Sequence, residues 1–315
     1  MIVLIPTHKR VMLLERTLAS MAQCPLPQAL RLVAVVENGE KTPDTEGLTE
    51  RWRQHLPIHY LYVPEPNKSH ALNQALHKFA QNDELVVFFD DDIRLDPLAL
   101  TAYAEAAQGK TSGEYFGGRV DIDYENDRPP PEWLRPFLPA CSLGWNLGDK
   151  RQNLTMPHIL GCNWAAFNFD LKACGAFNTD KGPGAATGSI GQETDMQQRL
   201  IAQGVQPVYI PNARVWHFVE SARCTPEWLL RYAYRHGIAR GLAYEQECRC
   251  IRGVPFWLLA RLMKDRVQLL ATTLALKPQG RRFALKRRMA IARGMIKGIR
   301  LHHKSTAPKA RETTA

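Results

Sequence analysis

The run "ELVVFFDDDIRLDP", Glu84–Pro97, drives an apolar stretch straight into three adjacent carboxylates, Asp90, Asp91 and Asp92. Its first part reads as a buried strand, and "LDPLALTAYAEAA" opens a helix with Pro97 near its first turn. Two like charges about 4 Å apart repel by roughly 4 kcal/mol at an effective dielectric near 20, and by about 1 kcal/mol in water. Three carboxylates at one strand end therefore need either solvent or a positive partner. A hard divalent cation, Mg2+ or Mn2+, suits one or two of them when substrate phosphate oxygens complete its shell. An acidic turn capping the helix at Asp96-Pro97 would leave the same sequence without any metal.

Working outward, strands and helices alternate. "MIVLIP" reads as a strand, Val11–Met21 as a helix, and "RLVAVVENG" as a second strand ending in the Asn38-Gly39 turn. "IHYLYVPEP" is a third strand; Lys68–Ala80 is a helix with Ala71, Leu72, Ala75, Leu76 and Phe79 on one side. Such alternation predicts an α/β fold, a mostly parallel sheet flanked by helices, whose ligands sit beyond the carboxyl ends of the strands. Thr7 and His8, Glu37 and Asn38, and Asp90 to Asp92 all fall at those ends. Further on, "HILGCNWAAFNFD" reads as a strand entering a helix. "DKGPGAATGSIGQ" is a glycine-rich loop expected to stay mobile until a ligand arrives. "ETDMQQRLIAQG" is a short helix with Met196 and Leu200 on one face, and "VQPVYIP" and "ARVWHFV" read as two short strands.

The net charge of +10 is unevenly placed. From Lys277 to Ala315, twelve Lys or Arg face a single acid, Glu312, leaving the rest of the 315-residue chain near neutrality. Nucleic-acid enzymes carry positive charge in the groove that tracks phosphates, so none is expected as a partner. A basic appendage points instead to an anionic membrane surface. Leu285, Met289, Ala292, Ile296 and Ile299 line one face of a helix in that region, as an interfacial helix would; a helix packed on its own domain would show the same pattern. The apolar run "VPFWLLARLMKDRVQLLATTLAL" is broken by charges and does not suit a bilayer span. Seven cysteines without zinc-ligand spacing and the lack of a cationic leader predict a reduced cytoplasmic chain, peripheral on the inner face of the cell membrane. The expected division is 1–245 for the α/β domain and 246–315 for the basic helical extension.

The ordered motifs resemble the non-processive, bacterial-type family 2 inverting glycosyltransferases of GT-A fold over Ile2 to Gly241. "IPTHKR", "VVENG", "NKSHALNQAL", "FFDDDIRLDP", "GCNWAAF", "GQETDMQQRL" and "ARVWHF" stand in that family's order. The resemblance implies donor contacts from Pro6, Thr7, Glu37, Asn38, Lys68, Asn73, Asp90 and Asp91. It implies a Mn2+ or Mg2+ held by Asp92 with His217, and Asn163, Trp164 and Asp195 near acceptor or diphosphate. It implies Glu193 as the base that deprotonates the acceptor hydroxyl, since an attack opposite the leaving diphosphate needs a fixed carboxylate. The family usually has Asp at this position, so Asp195, two residues on, stays open as the base; an i, i+4 ion pair with Arg199 is its plainer role.

The expected reaction moves one sugar from a nucleotide-diphosphate sugar, a UDP-sugar ahead of others, to a saccharide or lipid-linked acceptor in surface glycan synthesis. No Gln-x-x-Arg-Trp follows the base helix, which favours single transfers over processive synthesis. A sugar nucleotidyltransferase would need a glycine-rich loop after the first strand, where "PTHKRVMLLE" has none. A non-catalytic membrane scaffold would keep the tail without needing Asp92 or Glu193.

Overall fold

In the computed structural model, which describes residues 1–155, 159–245, 248–251 and 253–306, the first elements form as their hydrophobic patterns dictate. They are β1 (Ile2–Thr7), α1 (Val11–Ala22), β2 (Leu32–Asn38), α2 (Pro43–Trp52), β3 (Ile58–Val63), α3 (Lys68–Phe79) and β4 (Leu85–Phe89). There follow β5 (Ile93–Leu95), α4 (Ala99–Ala106), β6 (Glu114–Tyr124), β7 (Gln152–Asn153), β8 (Asn163–Phe167), α5 (Asn168–Cys174), α6 (Gln192–Ala202) and β9 (Gln206–Val219). The sheet runs in the order β3-β2-β1-β4-β8-β6-β9-β5, with β7 on β9. Strands β1 to β4 are mutually parallel, the expected arrangement, while β8 enters antiparallel to both β4 and β6.

Alternation along each strand sorts the core into two layers, because successive side chains point to opposite faces. Val3, Ile5, Val33, Val35, Val87 and Phe89 pack with Leu14 and Leu18 of α1 and Leu100 of α4. Ile2, Leu4, Ala34, Val36, Val86 and Phe88 pack on the other face with Ala71 and Leu72 of α3 and Met196 and Leu200 of α6. The two short strands expected between Val205 and Val219 form one, β9, whose pairing with β6 slips between Gly118 and Val120. The slip takes up Pro211, which lacks the amide a continuous ladder needs, so a local break in the sequence pattern does not end the strand.

Two compact units emerge. The first, 1–129, 138–184 and 192–221, holds the sheet; the second comprises 130–137, 185–191 and 222–315. Helix α7 (Pro226–Leu242) thus belongs with the C-terminal helices, whereas the sequence division at 245 had placed it with the sheet. The second unit also contains the two-residue strands β10 (Cys250–Ile251) and β11 (Val254–Pro255), then α8 (Phe256–Leu274) and α9 (Gln279–Thr306).

The tie between α7 and α9 is glycine. A Cβ on Gly237 would lie 2.2 Å from the Ile291 carbonyl, and one on Gly298 2.3 Å from the Ile238 carbonyl, so Gly237 and Gly241 meet Gly294 and Gly298 backbone to backbone. Another face of α9 is buried against α8 and β11, where Met289, Ala292 and Ile299 cluster with Val254, Leu258 and Leu262, and Leu285 is buried as well. Of the two readings the sequence leaves open for this face, an interfacial helix or one packed on its own domain, the structure shows the second. Among the described residues no helix is long and apolar enough to cross a membrane.

Candidate active site

Parallel register gathers the expected residues. Thr7 at the end of β1 stands beside Glu37 of β2, and β4 lies on the other side of β1. The Thr7 hydroxyl donates to Asp91 Oδ2 at 2.7 Å, and the Asn38 amide donates to the Thr7 carbonyl at 3.0 Å. Glu37 is fully buried, with Oε1 accepting from the Thr42 hydroxyl and amide and Oε2 from the Tyr60 hydroxyl. From α1, the Thr17 hydroxyl donates to the Asp91 carbonyl at 2.9 Å and accepts from the Ile93 amide at 3.2 Å, which fixes the acidic turn.

The positive partners that the three aspartates require include two side chains of the protein. Arg10, at the entry to α1, donates to Asp91 Oδ1 and to Asp92 Oδ2, each at 2.8 Å, and approaches Glu220 at 3.4 Å. Burial nevertheless pushes the Asp91 carboxyl up to about 7, against the pull of Arg10, with the charge of Asp92 adding to the rise. Lys68, in the first turn of α3, bridges Asp90 Oδ1 at 2.6 Å and Glu193 Oε1 at 2.9 Å. Burial by itself disfavours its charge, but the two carboxylates outweigh that and hold the ammonium above its ordinary range.

Asp90, Asp92 and His217 form a third cationic niche. One ligand atom from each lies within 4.8 Å of the others. His217 pairs across β9 and β5 with Ile93, directly after the acidic turn. Its Nδ1 sits 2.8 Å from the Cys141 carbonyl, which can only accept, so Nδ1 carries the proton. Nε2 then faces Asp92 Oδ1 at 3.3 Å, an arrangement that a cation between them stabilises. Two carboxylates and an imidazole with a fixed tautomer are the donor set a Mn2+ or Mg2+ ion accepts, so the residues fit the expected metal.

Glu193 lies one helical turn before Met196 on α6, and so continues the stripe Met196–Leu200 toward the sheet. It packs on Gly161, where a Cβ would be 2.6 Å from Glu193 Cγ. Both of its hydrogen bonds, from Lys68 and from Gln192 at 2.7 Å, go to Oε1. A small cavity is lined by Pro6, Lys68, Asp90, Gly161, Trp164 and Glu193. Asp195 faces elsewhere: it pairs with Lys181 and, at 2.9 Å, with Arg199. Arg199 also donates to the Cys174 and Ala176 carbonyls, which makes the group a brace between α6 and the end of α5.

Three of the expected side chains also hold the framework. Asn73 is bonded on both sides to the Phe177 main chain, at 3.0 and 2.8 Å. Asn163 is fully buried between the Tyr103 hydroxyl and the Arg119 and Ala213 carbonyls. Trp164 is fully buried too, stacked on Phe88 with ring centroids 4.5 Å apart. Trp164 nonetheless lines the small cavity with Lys68, Asp90 and Glu193, and Asn163 precedes it on β8.

The first half of the glycine-rich loop is not loose either. Pro183 accepts from the Lys68 amide at 3.0 Å, and Thr179 and Lys181 accept from the Asn67 and Ser69 side chains. Gly184 is required there, since a Cβ would lie 1.5 Å from the Pro66 carbonyl and its φ is +81°. Arg10 and Gly161 are the residues the sequence reading missed. Arg10 closes "IPTHKR", yet only the meeting of β1 and β4 shows what it holds.

The family model described as Glycosyl transferase family 2 matches residues 2–174, more than half of the chain. Among solved structures, the mannosyltransferase PcManGT from Pyrobaculum calidifontis, in complex with GDP-Man and Mn2+, is 20% identical with a TM-score of 0.57, covering 95% of this chain and 86% of that one. S. aureus TarS 1-349 in complex with UDP-GlcNAc is 15% identical with a TM-score of 0.52, covering 78% and 67%. This chain spans only 40% of the longer TarS chain. At these identities the likeness is one of fold. No curated protein matches.

Proposed function

The chain belongs to glycosyl transferase family 2 and has its GT-A fold, and from that premise we propose that it is a metal-dependent, inverting transferase of single sugars. The donor is a nucleotide-diphosphate sugar, with a UDP-sugar the first to test, and the acceptor is a hydroxyl of a saccharide or lipid-linked saccharide at a membrane surface, on the cytoplasmic side. One observation carries the reading: Asp90, Asp92 and His217 converge within 4.8 Å beyond the parallel strands, and Lys68 links that group to Glu193.

A divalent cation held by Asp90, Asp92 and His217 would neutralise charge on the departing diphosphate. Arg10 keeps Asp91 and Asp92 aligned, and the Cys141 carbonyl keeps His217 in the tautomer that turns Nε2 inward. Pro6 and Thr7 form the floor at the end of β1, with Glu37 and Asn38 at the nucleoside end. Glu193 takes the proton of the acceptor hydroxyl at Oε2, because Lys68 and Gln192 occupy Oε1 and hold the carboxylate still. Lys68 touches both Asp90 and Glu193, so it fixes the distance between donor and base.

The test is binding and turnover over a panel of sugar nucleotides with Mn2+, Mg2+ or chelator, followed by NMR of the product anomer. Metal-dependent binding of one donor, with inversion on transfer, is expected. Retention of configuration would remove Glu193 from its role, and tight donor binding unchanged by chelator would remove the metal.

A further inference from the structure

The second unit buries the apolar face of α9 and leaves another exposed. Along α8, Phe256, Met263, Val267, Leu270 and Leu274 are each at least half exposed, Leu274 reaching 75%. From Met263 they recur at alternating steps of four and three, which places them on one side of the helix. The opposite side carries Leu258 and Leu262 into the packing with Met289 and Ala292 of α9. A contiguous apolar face of this kind on a folded unit marks a contact surface.

Charge identifies what covers it. Arg261, Lys264 and Arg266 are exposed on α8, whereas its single acid, Asp265, is fully buried and paired with Arg288 of α9. Helix α9 has no acid at all, and Lys286, Arg293, Lys297 and Arg300 are exposed along it. A second copy of the chain would set these cations against their own kind, and a nucleic acid would leave the apolar stripe without a partner. An anionic bilayer surface takes both, the stripe among acyl chains and the cations among headgroups.

We infer that α8, lying in the membrane interface, is the docking element of this protein, and that α9 supplies its packing and some of its charge. The inference rests on the proposal that the enzyme works at a membrane surface, and it replaces α9 with α8 as the helix that enters the lipid.

The experiment is flotation of the full-length protein with vesicles of phosphatidylcholine alone or with phosphatidylglycerol. It compares the wild type with Met263→Gln/Val267→Gln/Leu270→Gln and with Arg261→Gln/Lys264→Gln/Arg266→Gln. These positions are exposed, so unchanged circular dichroism and unchanged donor binding are expected and report on the fold and the sheet site separately. The wild type should float with anionic vesicles. The apolar variant should lose tenfold or more in vesicle affinity at any salt, and the charge variant should lose most of its preference for phosphatidylglycerol. Equal flotation of wild type and apolar variant overturns α8 as the docking element while the membrane reading stands. A wild type that floats with no vesicle overturns both. A dimer in light scattering that the apolar variant dissolves, without flotation, makes the face a self-association surface and also overturns the inference.

Discussion

Glu193 and Asp195 stand two residues apart on α6, and their surroundings are opposite. Glu193 shares Lys68 with Asp90 and packs against Gly161. Asp195 is spent on Lys181 and Arg199. Residues i and i+2 on a helix point to nearly opposite sides. A carboxylate's chemistry is therefore decided by which stripe it occupies, and the stripe is marked by Met196 and Leu200, which carry Glu193 toward the sheet. Helices α8 and α9 repeat the lesson at larger scale. Both are amphipathic and basic, yet the apolar face of α9 is buried against one side of α8, while the stripe on the other side of α8 stays outside.

The comparison breaks most severely if the acidic cluster is not the centre that Glu193 serves. Asp92→Asn should abolish transfer and remove metal-dependent donor binding, with the fold kept because Arg10 retains Asp91. Isothermal titration of donor with Mn2+, beside a thermal melt, checks this; near-normal metal-dependent turnover would place the metal elsewhere.

Glu193→Gln should bind donor as before yet lose turnover by about a hundredfold or more. If Asp195→Asn proved dead and Glu193→Gln active, the two acids would exchange roles.

Lys68→Met leaves Asp90 and Glu193 facing one another without their shared cation. Each is partly exposed, so we expect a smaller loss, about tenfold in turnover, with melting lowered by a few degrees; a pair of charges at the solvent edge of a site is screened. Unchanged kinetics would show that the bridge does not set the base.

The smallest effect belongs to Asp195→Asn. Its pairs with Lys181 and Arg199 brace α6, and losing them should cost about 1 kcal/mol, with turnover within about threefold of wild type. Chemical denaturation measures the first and steady-state kinetics the second. A large catalytic loss without destabilisation would end the contrast drawn here.

Much of this was legible in the chain. Apolar runs determined strands β1, β2 and β4, because a buried parallel strand has no polar face to disguise it, and the breaks after them put Thr7, Glu37 and Asp90–Asp92 at one edge. The order of motifs determined the family. The resemblance pointed to Glu193 and left Asp195 open, and the period of α6 puts the two acids on different sides of the helix. What only the tertiary structure decided are meetings between segments far apart in sequence: Arg10 with Asp91 and Asp92, Lys68 with Glu193, Gly161 beneath Glu193, and Gly237 and Gly241 against Gly294 and Gly298. The same meetings gave Asn73 and Asn163 framework hydrogen bonds and set Trp164 on Phe88, beside the cavity at Glu193. A local pattern records that a face is apolar or a side chain polar, but its partner is set by packing, and packing is a property of the whole chain.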